Sequence, residues 1–399
     1  MATTPAAGDA LLEAPSPAVP AQAPLAIGVT GLRGIPQVMG GIESHCGELY
    51  PRLARLRPAD DFVVTARKPY MPGGAHDYQG LHIVPVFAVR NKYLEALVST
   101  FVAVLVLRFR FRRDVVHIHG IGPALLAPLS RLLGMDTIVT HHGEDYNRAK
   151  WNAFARNILR LGEWLAVVSA TQLIVVSRGV AENLQKRYPK HRARIHFIPN
   201  GVTILSRGSA AQAAAPEILA DLGLTSGGYI LAVGRLVPEK GFADLIAAFL
   251  ASGSSRKLVI AGKADHEDDY ARGLLAQASD RVIFAGFQTH DRLAGLYAHA
   301  SLFVLPSYHE GLPIAALEAA GMGCNILLSD ILPNVEIGLA ETNYFPVGNV
   351  PALAAKLAAD GTDYAIDSAD ILNRFDWDTV AAQTSALFAR SAGDASKAR

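Results

Sequence analysis

The stretch that decides the fold is Tyr229–Gly241, YILAVGRLVPEKG. Its first five residues, YILAV, form the short apolar run expected of a strand buried on both faces. A glycine-bounded loop carrying Arg235 and Lys240 follows at once. Its place in the chain matters most. It comes after a stretch rich in Ser, Ala and Gly, and it restarts a pattern that has already run once. In the first half, LAIGVT at Leu25–Thr30 reads as a strand leading into a Gly-rich loop. Phe62–Thr65, Val115–His119, Thr137–Thr140, Leu173–Val176 and Ile195–Ile198 continue as strands, with helical stretches such as Ile42–Leu56 and Phe154–Val168 between them. After Tyr229–Val233 come Leu258–Ala261, Val282–Ala285, Leu302–Leu305 and Asn325–Ser329. Alternating strands and helices predict a parallel sheet covered on both faces, here twice in tandem. Ligands of such sheets bind beyond the carboxyl ends of the strands, so two facing domains predict a site in the cleft between them.

Bulk properties agree with two ordinary domains. The chain has 399 residues, 50% of them hydrophobic, and a formal net charge of +1. No long charged block dominates, which argues against a nucleic-acid binder. The two cysteines, Cys46 and Cys324, have no ligand spacing, and a reducing, cytoplasmic compartment is expected. Residues 1–24 lack the pattern of a signal peptide and read as a disordered tail. The run Ala96–Leu107 is 12 residues long, whereas a spanning helix needs about 20. Arg108–Arg113 (RFRFRR) follows it. Two readings stay open there: a packed helix with a solvated basic end, or a peripheral contact with the anionic lipid of the inner membrane.

Two motifs carry chemistry. An Arg and a Lys just past a strand suit a diphosphate, Arg as a planar fork and Lys as a compact charge. The second motif is HEGLPIAALEAAG, His309–Gly321. Pro313 suits the first turn of a helix. A helix starting near Leu312 would offer the free amides of Leu312 and Ile314 to phosphate oxygens. Glu310 lies in the loop before it and Glu318 inside it, so they can reach two parts of one extended ligand. A carboxylate accepting ribose hydroxyls is good chemistry for Glu318, and one near sugar hydroxyls suits Glu310.

Together, Gly234-Arg235 with Lys240, Glu310-x7-Glu318 and the following GMGCNILLSD and NVE resemble the C-terminal half of retaining glycosyltransferases of family 4, of the GT-B fold. The resemblance implies that Arg235 and Lys240 contact the diphosphate of a nucleotide-sugar donor, that Glu318 binds ribose and that Glu310 lies by the donor sugar. FAGFQTHDRLAGLYAHASLFVLPS, Phe284–Ser307, is similar to the segment that reaches the nucleotide base, with Gln288 as the contact. GLRGIPQVMGGIES, Gly31–Ser44, resembles the family's first loop, in which Gly40 and Gly41 would approach the donor phosphates. THHGEDYNRAKW, Thr140–Trp151, resembles a segment of a bacterial polysaccharide-biosynthesis branch, in which His142 would face sugar and acceptor. IPNGVT at Ile198–Thr203 departs from the family, which usually has Asp where this chain has Thr203.

Other readings compete. Gly28-x-x-Gly31-x-x-Gly34 with Tyr146-x-x-x-Lys150 resembles a short-chain dehydrogenase, but Pro36 and Gly40-Gly41 interrupt the helix such a fingerprint should open. His117-x-His119 puts two imidazoles on one strand face, with His141-His142 one strand later, a set that could hold zinc but lacks a carboxylate at a clear spacing. Glu267-Asp268-Asp269 reads as a solvated helix start rather than a metal site. A non-catalytic sugar-nucleotide sensor and a nucleotide-sugar epimerase also remain.

The sequence therefore predicts a disordered tail over 1–24, a Rossmann-like acceptor domain over 25–205 and a linker over 206–228. A Rossmann-like donor-nucleotide domain over 229–372 and helices over 373–399 crossing back to the first domain complete it. The expected activity moves a sugar, with retention and without a metal or other cofactor, to a glycan or lipid-linked glycan acceptor.

Overall fold

The computed structural model describes residues 23–36, 38–91, 94–147, 152–203, 209–264, 268–359 and 361–397. Most of the expected tail, and Lys150, Trp151 and Glu267 among the motif residues, lie outside them.

The two expected sheets are present. The first has eight strands in the order His76–Tyr78, Leu81–Val86, Asp61–Arg67, Ala26–Thr30, Val115–His119, Asp136–His141, Gln172–Val175 and Ile195–Phe197. All neighbours are parallel except the outermost pair, His76–Tyr78 with Leu81–Val86. The second has six parallel strands in the order Val282–Gly286, Lys257–Ala261, Tyr229–Val233, Leu302–Leu305, Ile326–Ser329 and Tyr344–Phe345. In each sheet the strand opening the half, Ala26–Thr30 or Tyr229–Val233, lies centrally, and the order reverses beside it. That reversal opens a crevice at the strand ends. The central strands are buried on both faces, which is why they read as unbroken apolar runs.

Three features differ from the sequence reading. Leu81–Val86 (LHIVPV), not among the expected strands, is one despite Pro85. The hairpin partner reaches only Leu81–Ile83, so Pro85 sits where the strand is an edge and needs no ladder donor on that side. The expected linker 206–228 is largely a helix, Ser209–Asp221, whose Ile218 is buried in the second domain's core. The helix Glu95–Leu105 is shorter than the apolar run and passes into a wide π turn at Val106–Arg110. Among the described residues no helix is long and apolar enough to cross a membrane.

The last helix, Trp377–Lys397, returns to the first domain. Its Trp377, Val380, Ala381, Leu387 and Phe388 belong to the same buried cluster as Ile27, Tyr50 and Phe62. The segments at Val202 and Phe375 meet through a Val202 N–H to Phe375 carbonyl bond of 2.6 Å. Trp377 Nε1 donates to Thr203 Oγ1 at 3.2 Å. Thr203 thus receives the indole N–H of the crossing helix.

Candidate active site

A cavity of about 1060 Å³ runs between the two sheets and is lined from both. All ten residues predicted from the sequence border it: Gly40, Gly41 and His142 from the first domain, and Arg235, Lys240, Gln288, Glu310, Leu312, Ile314 and Glu318 from the second.

The second-domain wall is built by two strand-to-helix connections. After Tyr229–Val233 the chain makes a tight turn at Pro238–Lys240 and enters the helix Phe242–Ala251. This sets Lys240 against the loop after Leu302–Leu305. Lys240 Nζ donates to Glu310 Oε1 at 2.6 Å, and Ser307 Oγ donates to the same oxygen at 2.6 Å. Burial pushes the Glu310 carboxyl up, but the Lys240 charge and these hydrogen bonds outweigh it and hold it below its ordinary range. Glu310 is therefore ionised and paired. Arg235 lies half-buried on the same wall.

The helix Ile314–Gly321 starts one to two residues later than the sequence suggested, with Pro313 as N-cap. Ala316 is the first amide bonded back, to the Pro313 carbonyl, which leaves the amides of Ile314 and Ala315 without helical partners at the cavity. Glu318 lies one turn in and accepts from Tyr297 Oη at 3.1 Å. Burial pushes its carboxyl up to about 7, against the Tyr297 hydrogen bond and with a smaller push from Glu48 across the cleft. Gln288 uses its side chain locally. Its Nε2 donates to the Ala285 carbonyl, and its Oε1 accepts from Arg292 Nε at 3.0 Å.

The first-domain wall begins at Gly40, N-cap of the helix Gly41–Leu56, with φ of 153°. A Cβ there would lie 1.9 Å from Glu43 Oε2. Glu43 itself accepts from the Arg33 amide at 2.8 Å and anchors the loop. At Gly41 a Cβ would meet nothing within 4 Å, since the position faces the open cavity.

His142 ends a chain of buried polar groups. Its Nε2 shares a 2.9 Å hydrogen bond with His119 Nδ1, and His119 Nε2 meets Tyr50 Oη at 2.6 Å. Tyr50 Oη also meets His117 Nδ1 at 2.8 Å, and His117 Nε2 meets Thr140 Oγ1 at 2.7 Å. His45 Nδ1 bonds Asn200 Oδ1 at 2.9 Å. Burial lowers all four imidazoles, His45 to about 4, His117 to about 3 and the other two well below the ordinary value. They are neutral near pH 7. His117 and His119 share a strand face as expected, but His141 turns away to Glu163 Oε2 at 3.2 Å. The imidazoles that gather are His45, His119 and His142. Tyr146 Oη lies 2.9 Å from Glu144 Oε1 and 3.0 Å from Glu163 Oε2, shares its one proton between them and sits within this local network.

The walls also touch. A Cβ on Gly311 would lie 1.9 Å from the His142 carbonyl oxygen, so only glycine permits this approach. Asn200 Nδ2 donates to the Leu312 carbonyl at 2.8 Å. Glu336 accepts from Ser177 Oγ at 2.9 Å and from the amides of Arg178 and Gly179 at 2.8 and 2.7 Å, at the start of the helix Arg178–Arg187. Glu43, Asn200, Tyr297 and Glu336 are site or closure residues that the sequence reading left without a role, although all four stood inside quoted motifs.

A two-domain cleft of this topology defines the GT-B class of glycosyltransferases. The family model described as Glycosyltransferase Family 4 matches residues 39–204, and that described as Glycosyl transferases group 1 matches residues 216–359. The chain belongs to glycosyltransferase family 4 and is a glycosyltransferase. It is 26% identical over 381 residues to the 2-deoxystreptamine N-acetyl-D-glucosaminyltransferase of Streptomyces fradiae, covering 86% of this chain and 89% of that one. Its fold is similar to a sucrose-phosphate synthase from Thermosynechococcus elongatus (TM-score 0.73, 20% identity, 92% of this chain and 98% of the other). It is also similar to Anabaena HepE solved with UDP and glucose (TM-score 0.71, 17% identity, 92% of this chain and all of the other).

Proposed function

We propose that the protein transfers a sugar, with retention of configuration, from a nucleoside-diphosphate sugar to a hydroxyl of a glycan or lipid-linked glycan in polysaccharide biosynthesis. The observation that carries this reading is the cation and the free helix amides on one wall of the cleft, opposite His142 and the Gly40-Gly41 loop on the other. Arg235, Lys240 and the amides of Leu312 and Ile314 hold the diphosphate where negative charge develops as it leaves. Lys240 has two N–H donors left after Glu310. Side chains thus fill the role a metal would otherwise take, and no metal or other cofactor enters the transfer step. Glu318 accepts the ribose hydroxyls. Gln288, its side chain already engaged, meets the base through its backbone. His142 and Glu310 orient the sugar and face the positive charge that builds at its anomeric carbon. The acceptor hydroxyl approaches on the face the phosphate leaves, and a phosphate oxygen takes its proton, so no protein base is needed.

The HepE structure was solved with UDP and glucose, which supports a nucleotide-sugar donor here. Phe101 and Phe109, 46% and 68% exposed beside Arg108 and Arg110, support a peripheral contact with the cytoplasmic face of the inner membrane. A thermal-shift panel of UDP-, GDP-, ADP- and dTDP-sugars tests the donor. A true donor at 100 times its Kd adds about 2.7 kcal/mol of stability. NMR of the product with that donor should show the donor's anomeric configuration, with EDTA not lowering the rate. An inverted product, or no stabilisation by any of the four, contradicts the reading.

A further inference from the structure

His45 carries an unsatisfied lone pair whose position follows from its neighbours. Asn200 Nδ2 donates to the Leu312 carbonyl, so its Oδ1 is the end that faces His45. An amide oxygen only accepts, so His45 Nδ1 bears the proton and Nε2 is bare. His45 is 2% exposed, and Nε2 has no hydrogen-bond partner among the described residues. A buried acceptor without a donor is costly. The His45 ring centroid lies 4.7 Å from that of His142 and 5.5 Å from that of His119, and one ligand nitrogen from each of the three rings lies within 4.8 Å of the others.

We propose that His45, His119 and His142 form a site for one divalent ion of the zinc class in the cleft wall, and that its charge opposes transfer. The donor set is three imidazoles with no carboxylate, which suits Zn²⁺, Co²⁺, Ni²⁺ or Cu²⁺ and not Mg²⁺ or Ca²⁺. At Zn–N bonds of 2.0–2.1 Å, tetrahedral ligands stand about 3.3 Å apart. His119 Nδ1 and His142 Nε2 are already 2.9 Å apart, and His45 closes by rotating inward. The proton these two share moves to the other nitrogen of its ring. On His119 that is Nε2, where Tyr50 Oη accepts it. Outer partners are in place, Asn200 behind His45 and Tyr50 behind His119, as metal-bound histidines require. His142 is half-buried at the cavity, so the fourth position opens toward the cleft. A dication bound to His142 Nε2 would oppose the positive charge that transfer builds at the sugar. That last step rests on the function proposed above; metal binding does not.

The test is a Co²⁺ titration of the full chain followed by visible absorption, with metal content per chain measured after desalting. One equivalent should bind with the spectrum of nitrogen-ligated Co²⁺, be displaced by Zn²⁺ and be indifferent to Mg²⁺. His45→Phe and His45→Gln, checked for folding by thermal melting, should weaken it by more than the about 10–100-fold that loss of an outer partner costs. X-ray absorption of the zinc-loaded wild type should show at least three imidazoles, a readout that needs no variant. Absence of stoichiometric binding, as a water on His45 would give, overturns the site. So does undiminished binding in a folded variant, or fewer than three imidazoles. In the transfer assay Zn²⁺ should inhibit wild type reversibly and spare His45→Phe. Binding without inhibition would leave the metal site standing and count against the charge build-up proposed for transfer.

Discussion

Lys240 commits one N–H to Glu310 at 2.6 Å and keeps two for a ligand. If those hold the departing diphosphate, Lys240→Ala should slow transfer several hundredfold, the loss of about 3–4 kcal/mol of oxyanion-type stabilisation. The chain should still melt cooperatively, at a lower temperature, because Glu310 loses the cation beside it. A rate near wild type in steady-state kinetics would remove Lys240 from the site. Glu318 supplies a second prediction, through pH. Its folded pKa of about 7 stands above the ordinary 4.5. The native state therefore binds more protons than the unfolded state between those values, so this carboxyl's contribution to stability falls as pH rises from 4.5 to 7 and is constant above. A carboxylate that accepts ribose hydroxyls works the other way for binding. Calorimetric Kd for a nucleoside diphosphate should be weaker at pH 6 than at pH 8 by up to about tenfold, and Glu318→Gln should abolish the difference. An unchanged pH profile in that variant excludes Glu318 as the group responsible. That Arg235, Lys240, Glu310 and Glu318 line the cleft was legible in the sequence because their two motifs together resemble a known family's, at strand ends where such sheets bind ligands. His45 and Asn200 were not, since they meet across 155 positions of chain. Local spacing says nothing about such a contact.

At the scale of elements, strands with an unbroken apolar run were easy to read, the edge strands Ile195–Phe197 and Val282–Gly286 included, and those without one were not. Val115–His119, Tyr229–Val233 and Leu302–Leu305 have the bounds their apolar runs implied. Leu81–Val86 is paired on only one side beyond Ile83, where Pro85 is tolerated, and the two-residue Tyr344–Phe345 lies at the edge of the second sheet. The helix Ser209–Asp221 was hidden for another reason. Its Ala-rich sequence looks like linker composition, although Ala is the best helix former. The loops between elements carry the closure. Gly311 packs on the backbone of His142 with no room for a methyl group. Gly311→Ala should hold the two loops apart, and misplacement by about 1 Å can cost on the order of 100-fold in rate. We expect kcat/KM to fall by that order and small-angle scattering to report a wider molecule, with the melting temperature little changed. Unaltered kcat/KM would mean that this contact is not needed for transfer.

The whole molecule is two sheets that each expose strand ends to one cleft, tied at its margins. Glu336 caps a first-domain helix from the second domain. Asn200 reaches the Leu312 carbonyl just before the second domain's cavity-facing helix start. The helix from Trp377 carries the chain back into the first core. The tandem arrangement was readable because the strand pattern runs twice. How closely the halves approach was not, because it depends on surfaces that neither half's periodicity encodes. The account rests on a diphosphate lodged between these halves on the second-domain wall. A crystal structure with a bound sugar nucleotide tests it most directly. The account predicts phosphate oxygens within about 3 Å of Lys240 Nζ and the Ile314 amide, with Arg235 alongside. Phosphates bound instead at the Gly28–Gly34 turn, or anywhere away from Lys240 and that helix start, would contradict it.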